Sequence, residues 1–274
     1  MNSLTADVFG AILQGPASNS ASLQKSLNGL VKQWQKTAQL DYAFDVETPS
    51  EITSPLAALW DEPLSYIPHY AAAVGDVNQA YFLSWFIGVA APYQWLPLND
   101  HKIQAETGLT PKQWRKVRED LMAKDLLLNK RGKDARSLFR LDEVQLEQLL
   151  KQNAEITVNN VYHPPLVVDK LQAKTLFSLG LNVNDLLFLA AVQADTPAVP
   201  LHQRGDWTVW VDMPQNRVFE LTYLSRREQD NAQVSLQGLS LIESKNQGFP
   251  QIRRCRVSLK RLAQLTARHC NLAL

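Results

Sequence analysis

The sequence predicts a mainly helical α+β protein in which one unit of helices closed by a small β-hairpin is written twice, behind a helical N-terminal segment. Three observations predict this: an internal repeat at an offset of 115 residues, helix-start signals at matching places in both copies, and a hairpin pattern after each.

Residues 95–130 align without gaps on 210–245. Trp95 falls on Trp210, Leu98 on Met213, Ile103 on Val218, Thr107 on Thr222, Leu109 on Leu224, Leu121 on Leu236 and Lys130 on Lys245. With one inserted residue the register continues, pairing Gly132 with Gly248 and Arg140 with Arg256. Upstream, GDVNQAYFLSWF at 75–86 echoes LNVNDLLFLAAV at 181–192, so each copy opens with a buried helix. The expected organisation is an N-terminal segment 1–67, a first domain 68–152, a linker 153–169 and a second domain 170–270.

Each element has its own signal. WLPL at 95–98 and WTVWVDM at 207–213 are short β-prone segments. A second helix near 100–107 stops at Gly108, which suits the left-handed backbone of a tight turn. The third helix starts with Thr110 as cap, Pro111 in first position and Gln113 completing a capping box; Ser225 and Glu228 repeat the device. Apolar strands at 126–130 and 241–245 lead through Arg131-Gly132-Lys133-Asp134 and Asn246-Gln247-Gly248-Phe249-Pro250 into return strands ending at 139–141 and 256–259. Helix, strand, helix, turn, helix, hairpin is the winged-helix order, so two tandem winged-helix domains are expected.

Net charge is only +1, but its layout is uneven. Residues 1–94 hold three Lys/Arg against eight Asp/Glu, residues 101–141 eleven against five, and residues 217–261 nine against four. Two basic islands therefore coincide with the predicted third helices and hairpins, a layout that fits either two solvated faces or the electrostatic footprint of nucleic-acid binding, and their position on those elements favours the second. In the first copy, Trp114, Val117 and Leu121 follow core spacing and leave Lys112, Arg115, Lys116 and Glu119 outward. In the second, the matching face carries Arg226, Arg227, Asp230, Asn231 and Val234, a set able to read base edges: arginine on guanine, asparagine on adenine, a carboxylate on the cytosine amino group. Lys130, Arg131, Lys133 and Arg136 at the first hairpin and Lys245, Arg254 and Arg256 at the second are expected on phosphates or in a minor groove. Strand alternation puts Arg254 and Arg256 on one face and Arg253 on the other.

Other classes find no motif. Phosphate-binding, zinc-protease, serine-hydrolase and dinucleotide signatures are absent, and His69, His101, His163, His202 and His269 are scattered, so neither an enzyme, a cofactor nor a metal is expected. Cys255 and Cys270 lack metal-site spacing, and neither a leader nor a long apolar run is seen, which points to a cytoplasmic protein without a membrane partner. In the N-terminal segment, Leu27, Leu30, Val31 and Trp34 fall at helical spacing. That segment either packs on the first domain or serves as an arm for a partner protein or a second copy.

The run HYAAAVGDVNQAYFLSWF, followed by LPLNDHKIQAETGLTPKQWRKVREDLMAKDLLLNKR, resembles the winged-helix start of phage replication proteins and DnaD-type helicase loaders. The tandem arrangement is similar to that of plasmid replication initiators. The resemblance implies sequence-specific binding of double-stranded DNA in replication initiation of a plasmid, phage or mobile element, in the bacterial cytoplasm or nucleoid. A transcriptional regulator with the same contacts, or a protein-docking adaptor built on the same fold, are the alternatives.

Overall fold

The computed structural model describes residues 63–132, 136–156, 165–198 and 205–270. All of them belong to one compact unit, Ser54–Leu274. It is an α+β assembly of ten helices and three small antiparallel sheets among the described residues.

The first half runs β1 (Leu64–Tyr66), α1 (Pro68–Val74), α2 (Val77–Val89), β2 (Leu96–Pro97), α3 (Asp100–Thr107), α4 (Pro111–Ala123), β3 (Leu127–Arg131), β4 (Ser137–Leu141) and α5 (Glu143–Ile156). The second repeats this order as β5 (Leu166–Val168), α6 (Lys170–Ser178), α7 (Val183–Ala194), β6 (Val211–Asp212), α8 (Gln215–Thr222), α9 (Arg226–Gly238), β7 (Ile242–Gln247), β8 (Ile252–Val257) and α10 (Leu259–His269). Each half builds a three-stranded sheet with the return strand in the middle, β2-β4-β3 and β6-β8-β7.

Local chemistry explains the boundaries. Helices α2 and α7 are apolar on nearly every side, which suits helices surrounded by protein, and Tyr81, Phe82, Leu83, Leu186, Leu187 and Phe188 are buried. Both begin at a polar cap: the Gln79 amide donates to Asp76 Oδ1 at 2.9 Å, and the Asn184 and Asp185 amides donate to Asn182 Oδ1. The turn into the next helix is the same in both halves. Buried Thr107 and Thr222 donate their hydroxyls back to Ile103 O and Val218 O, each at 2.6 Å, and accept from the Leu109 and Leu224 amides. Gly108 then takes φ +68°, while its counterpart Tyr223 takes φ +63° with its ring 4.6 Å from that of Phe219.

The boundaries expected from the sequence need one correction. Strand β5 and the end of α5 lie in the span expected as a linker, and β1 lies inside the segment expected to precede the repeat. Three-residue strands are too short to show periodicity, and β1 and β5 pair with each other across the halves instead of forming a hairpin. Leu64 faces Val168, Ser65 faces Val167 and Tyr66 faces Leu166. Because Leu64–Tyr66 is the counterpart of Leu166–Val168, this register exchanges equivalent positions about a local two-fold axis between Ser65 and Val167. The helices obey the same exchange: α3 packs on α6 as α8 packs on α1, and α2 meets α7. A single apolar core runs through both halves, and the buried Tyr66 hydroxyl donates to Thr222 O at 2.7 Å across them.

The two interiors differ at one place. In the first half Trp114 is 2% exposed and its ring lies 4.8 Å from that of Phe82 and 5.9 Å from that of Phe139. In the second, Gln229 and Cys255 stand where Trp114 and Phe139 stand, and Arg253 fills the space they leave. Its guanidinium donates to Gln229 Oε1 at 2.8 Å, Gln233 Oε1 at 3.3 Å and Met213 O at 3.0 Å, over the Phe188 ring. Burial lowers the Arg253 pKa.

Candidate nucleic-acid interface

Helix α4 is positioned by its own capping box: the Gln113 amide donates to Thr110 Oγ1 at 3.3 Å and the Thr110 amide to Gln113 Oε1 at 2.9 Å. Trp114, Val117 and Leu121 are buried. By helical geometry Lys112, Arg115, Lys116 and Glu119 then face outward, and all four are exposed. Among the described residues none of these three cations forms an ion pair, so their charge is free for an external anion.

Helix α9 is held likewise, with the Ser225 amide donating to Glu228 Oε2 at 2.8 Å and Gln229, Ala232 and Leu236 inward. Arg226, Arg227, Asp230, Asn231 and Val234 are exposed. Asp230 lies between two cations, 3.9 Å from Arg226 and 3.7 Å from Arg253. The second face is thus partly self-neutralised, whereas the first holds three cations and one acid, Glu119, with no ion pair for those cations among the described residues.

The hairpins bring a feature that composition alone does not reveal. On the outer face of the first sheet, Lys130 Nζ sits 4.0 Å and the Arg140 guanidinium 5.2 Å from the Trp95 ring centre. The second sheet repeats this with Lys245 at 4.3 Å and Arg256 at 4.7 Å from Trp210. Cation–ring contacts of this exposed kind contribute about 0.5–1 kcal/mol each and hold the long side chains in place. Aligned residues predict the pattern, since Trp95, Lys130 and Arg140 match Trp210, Lys245 and Arg256.

The remaining predicted cations divide. Arg131 and Arg136 are exposed where the Gly132 amide closes the first hairpin on Arg136 O at 2.8 Å; Lys133 lies outside the described residues. Arg254 and Arg256 do share one face of β8, with Arg253 on the other, but both already have partners. Arg254 pairs with Asp212 at 2.7 Å, and Arg256 donates to Glu243 Oε2 at 2.8 and 2.6 Å. Charge counting along a strand could not reveal this, because the carboxylates come from neighbouring strands. Phe249, at the tip of the second hairpin, was not singled out by the sequence pattern and is fully exposed.

Among the described residues no cluster of three His, Cys, Asp or Glu side chains could hold a metal, and no helix is long and apolar enough to cross a membrane. The chain matches no known protein family and no curated protein.

Proposed function

We propose that the protein binds double-stranded DNA in a sequence-specific way through two winged-helix units, presenting α4 and α9 to the major groove and the two hairpins to adjacent backbone or minor groove. The observation that carries this reading is the pair of exposed polar helix faces at aligned positions, each beside a basic hairpin, with Lys112, Arg115 and Lys116 forming no ion pair among the described residues. Cations left unpaired on a rigid helix suit phosphates and guanine edges. The local two-fold axis supports two half-sites in inverted orientation, and the unlike faces of α4 and α9 make those half-sites unequal in sequence. Helix-turn-helix pairs of this kind place their contacts about one turn of DNA, roughly 34–36 Å, apart.

The role we assign is initiation of replication on a plasmid, phage or other mobile element, carried by the resemblance of residues 69–131. Binding to random-sequence duplex DNA, with sequencing of the retained fraction at low and moderate salt, tests the reading. An imperfect inverted motif is expected. Binding without a motif removes the specific reader, and absence of binding turns the reading toward protein docking. Maintenance of a mini-replicon that depends on the motif separates an initiator from a transcriptional regulator.

A further inference from the structure

Phe249 stands at the tip of the β7–β8 hairpin with a relative exposure of 103%, so its ring contributes nothing to the core. Gly248, at φ +87°, makes the turn that carries it outward, and Pro250 follows it. The hairpin is braced rather than loose. Gln233 and Gln237 of α9 donate to Ser244 Oγ at 2.8 and 2.9 Å, and Arg253 binds Gln229 and Gln233 of the same helix. From 244 to 257 the chain has four cations and no carboxylate; Arg254 and Arg256 are paired to acids on the flanking strands and Arg253 turns inward beside Asp230, so that Lys245 is the one of the four without an ion pair among the described residues. The turn of the first hairpin, Gly132-Lys133-Asp134-Ala135-Arg136, has no aromatic residue.

An apolar ring carried on a braced ribbon, with Lys245 on its strand and the exposed Arg226 and Arg227 on the helix that braces it, fits a ligand with a polyanionic outside and an apolar stacked interior, which is duplex nucleic acid. We propose that Phe249 is a wedge that enters the minor groove beside the α9 half-site and opens one base step, kinking the duplex there. This rests on the DNA-binding reading above. It adds that the two units are unequal in action: the first anchors through charge and the second distorts.

The test uses the full chain and a short duplex of the sequence enriched by selection, with 2-aminopurine placed in turn at each adenine, and follows fluorescence and affinity separately. With the wild type, fluorescence rises several-fold at one step beside one half-site. In Phe249→Ala that rise is lost, in Phe249→Leu it is kept, and affinity falls less than when Lys112, Arg115 and Lys116 are replaced. Because the side chain touches no core, the variants fold as the parent does, which circular dichroism checks. Binding by the wild type with no rise at any step, or a rise that survives in Phe249→Ala, overturns the wedge and leaves DNA binding standing. If the wild type binds neither this duplex nor random DNA, the DNA reading fails and takes the wedge with it. Flotation of the wild type, but not of Phe249→Ala, with phosphatidylserine-containing vesicles assigns the ring to membranes and overturns the proposal.

Discussion

Lys112, Arg115 and Lys116 project from α4 without ion pairs among the described residues, so replacing them by alanine removes no such pair from the described fold. If each meets a phosphate, every replacement lowers the slope of log affinity against log salt by about 0.9, while the thermal midpoint moves little. Affinity titrations at several salt concentrations check this; an unchanged slope in the triple variant removes the site assignment. Asp185 is a residue of the opposite kind. Desolvation raises its pKa, against hydrogen bonds from the Asn182 backbone and from Ser235 that lower it. The folded chain therefore holds that proton more tightly than the unfolded chain, and stability due to Asp185 increases as pH falls through the raised folded value towards the ordinary aspartate value. Asp185→Asn lacks this dependence. In urea titrations the difference between wild type and variant is expected to shift in favour of the wild type on acidification across that window.

At the scale of elements, the turn between α3 and α4 shows what tertiary packing adds to a local signal. A glycine after residue 107 reads as a helix stop, and Gly108 does adopt the left-handed backbone. The structure supplies a second reason: a Cβ built on Gly108 would overlap the ring of Phe177, which α6 brings from the other half. Gly108→Ala thus combines an unfavourable φ with overpacking, and a loss of roughly 1–3 kcal/mol is expected in urea unfolding. Tyr223 occupies the matching place in the second half with a positive φ of its own and packs its ring on Phe219. The helix starts were more fully legible. Thr110 with Gln113 and Ser225 with Glu228 form their capping boxes where spacing puts them, because a cap acts over three residues and needs no distant partner.

For the molecule as a whole, the two halves share a core, a β-ladder and the Tyr66–Thr222 hydrogen bond. Each half alone would leave β1 or β5 without its partner strand and expose the faces of α1, α3, α6 and α8 that meet across the local axis. The two repeats are therefore expected to unfold together. Hydrogen exchange in urea should show the β3–β4 and β7–β8 amides losing protection at one concentration; separate midpoints would mean that the halves are independent domains joined by a chain. The joint core also matters for the proposed function. Under that proposal the shared core sets the spacing and orientation of α4 and α9, so that two modest half-sites would act as one.

The sequence by itself determined the repeat, the order of elements within it, the caps, the buried row of Trp114, Val117 and Leu121, and the outward placement of the cations on α4 and α9. These follow from periodicity and from contacts a few residues apart. Only the tertiary structure decided that Arg253 would fill the space of a missing indole and that Asp212 and Glu243 would engage Arg254 and Arg256. It alone set β1 against β5 about a two-fold axis. Those outcomes depend on which groups meet across distant parts of the chain, where the energy of a side chain is set by its neighbours in space and not by its neighbours in sequence.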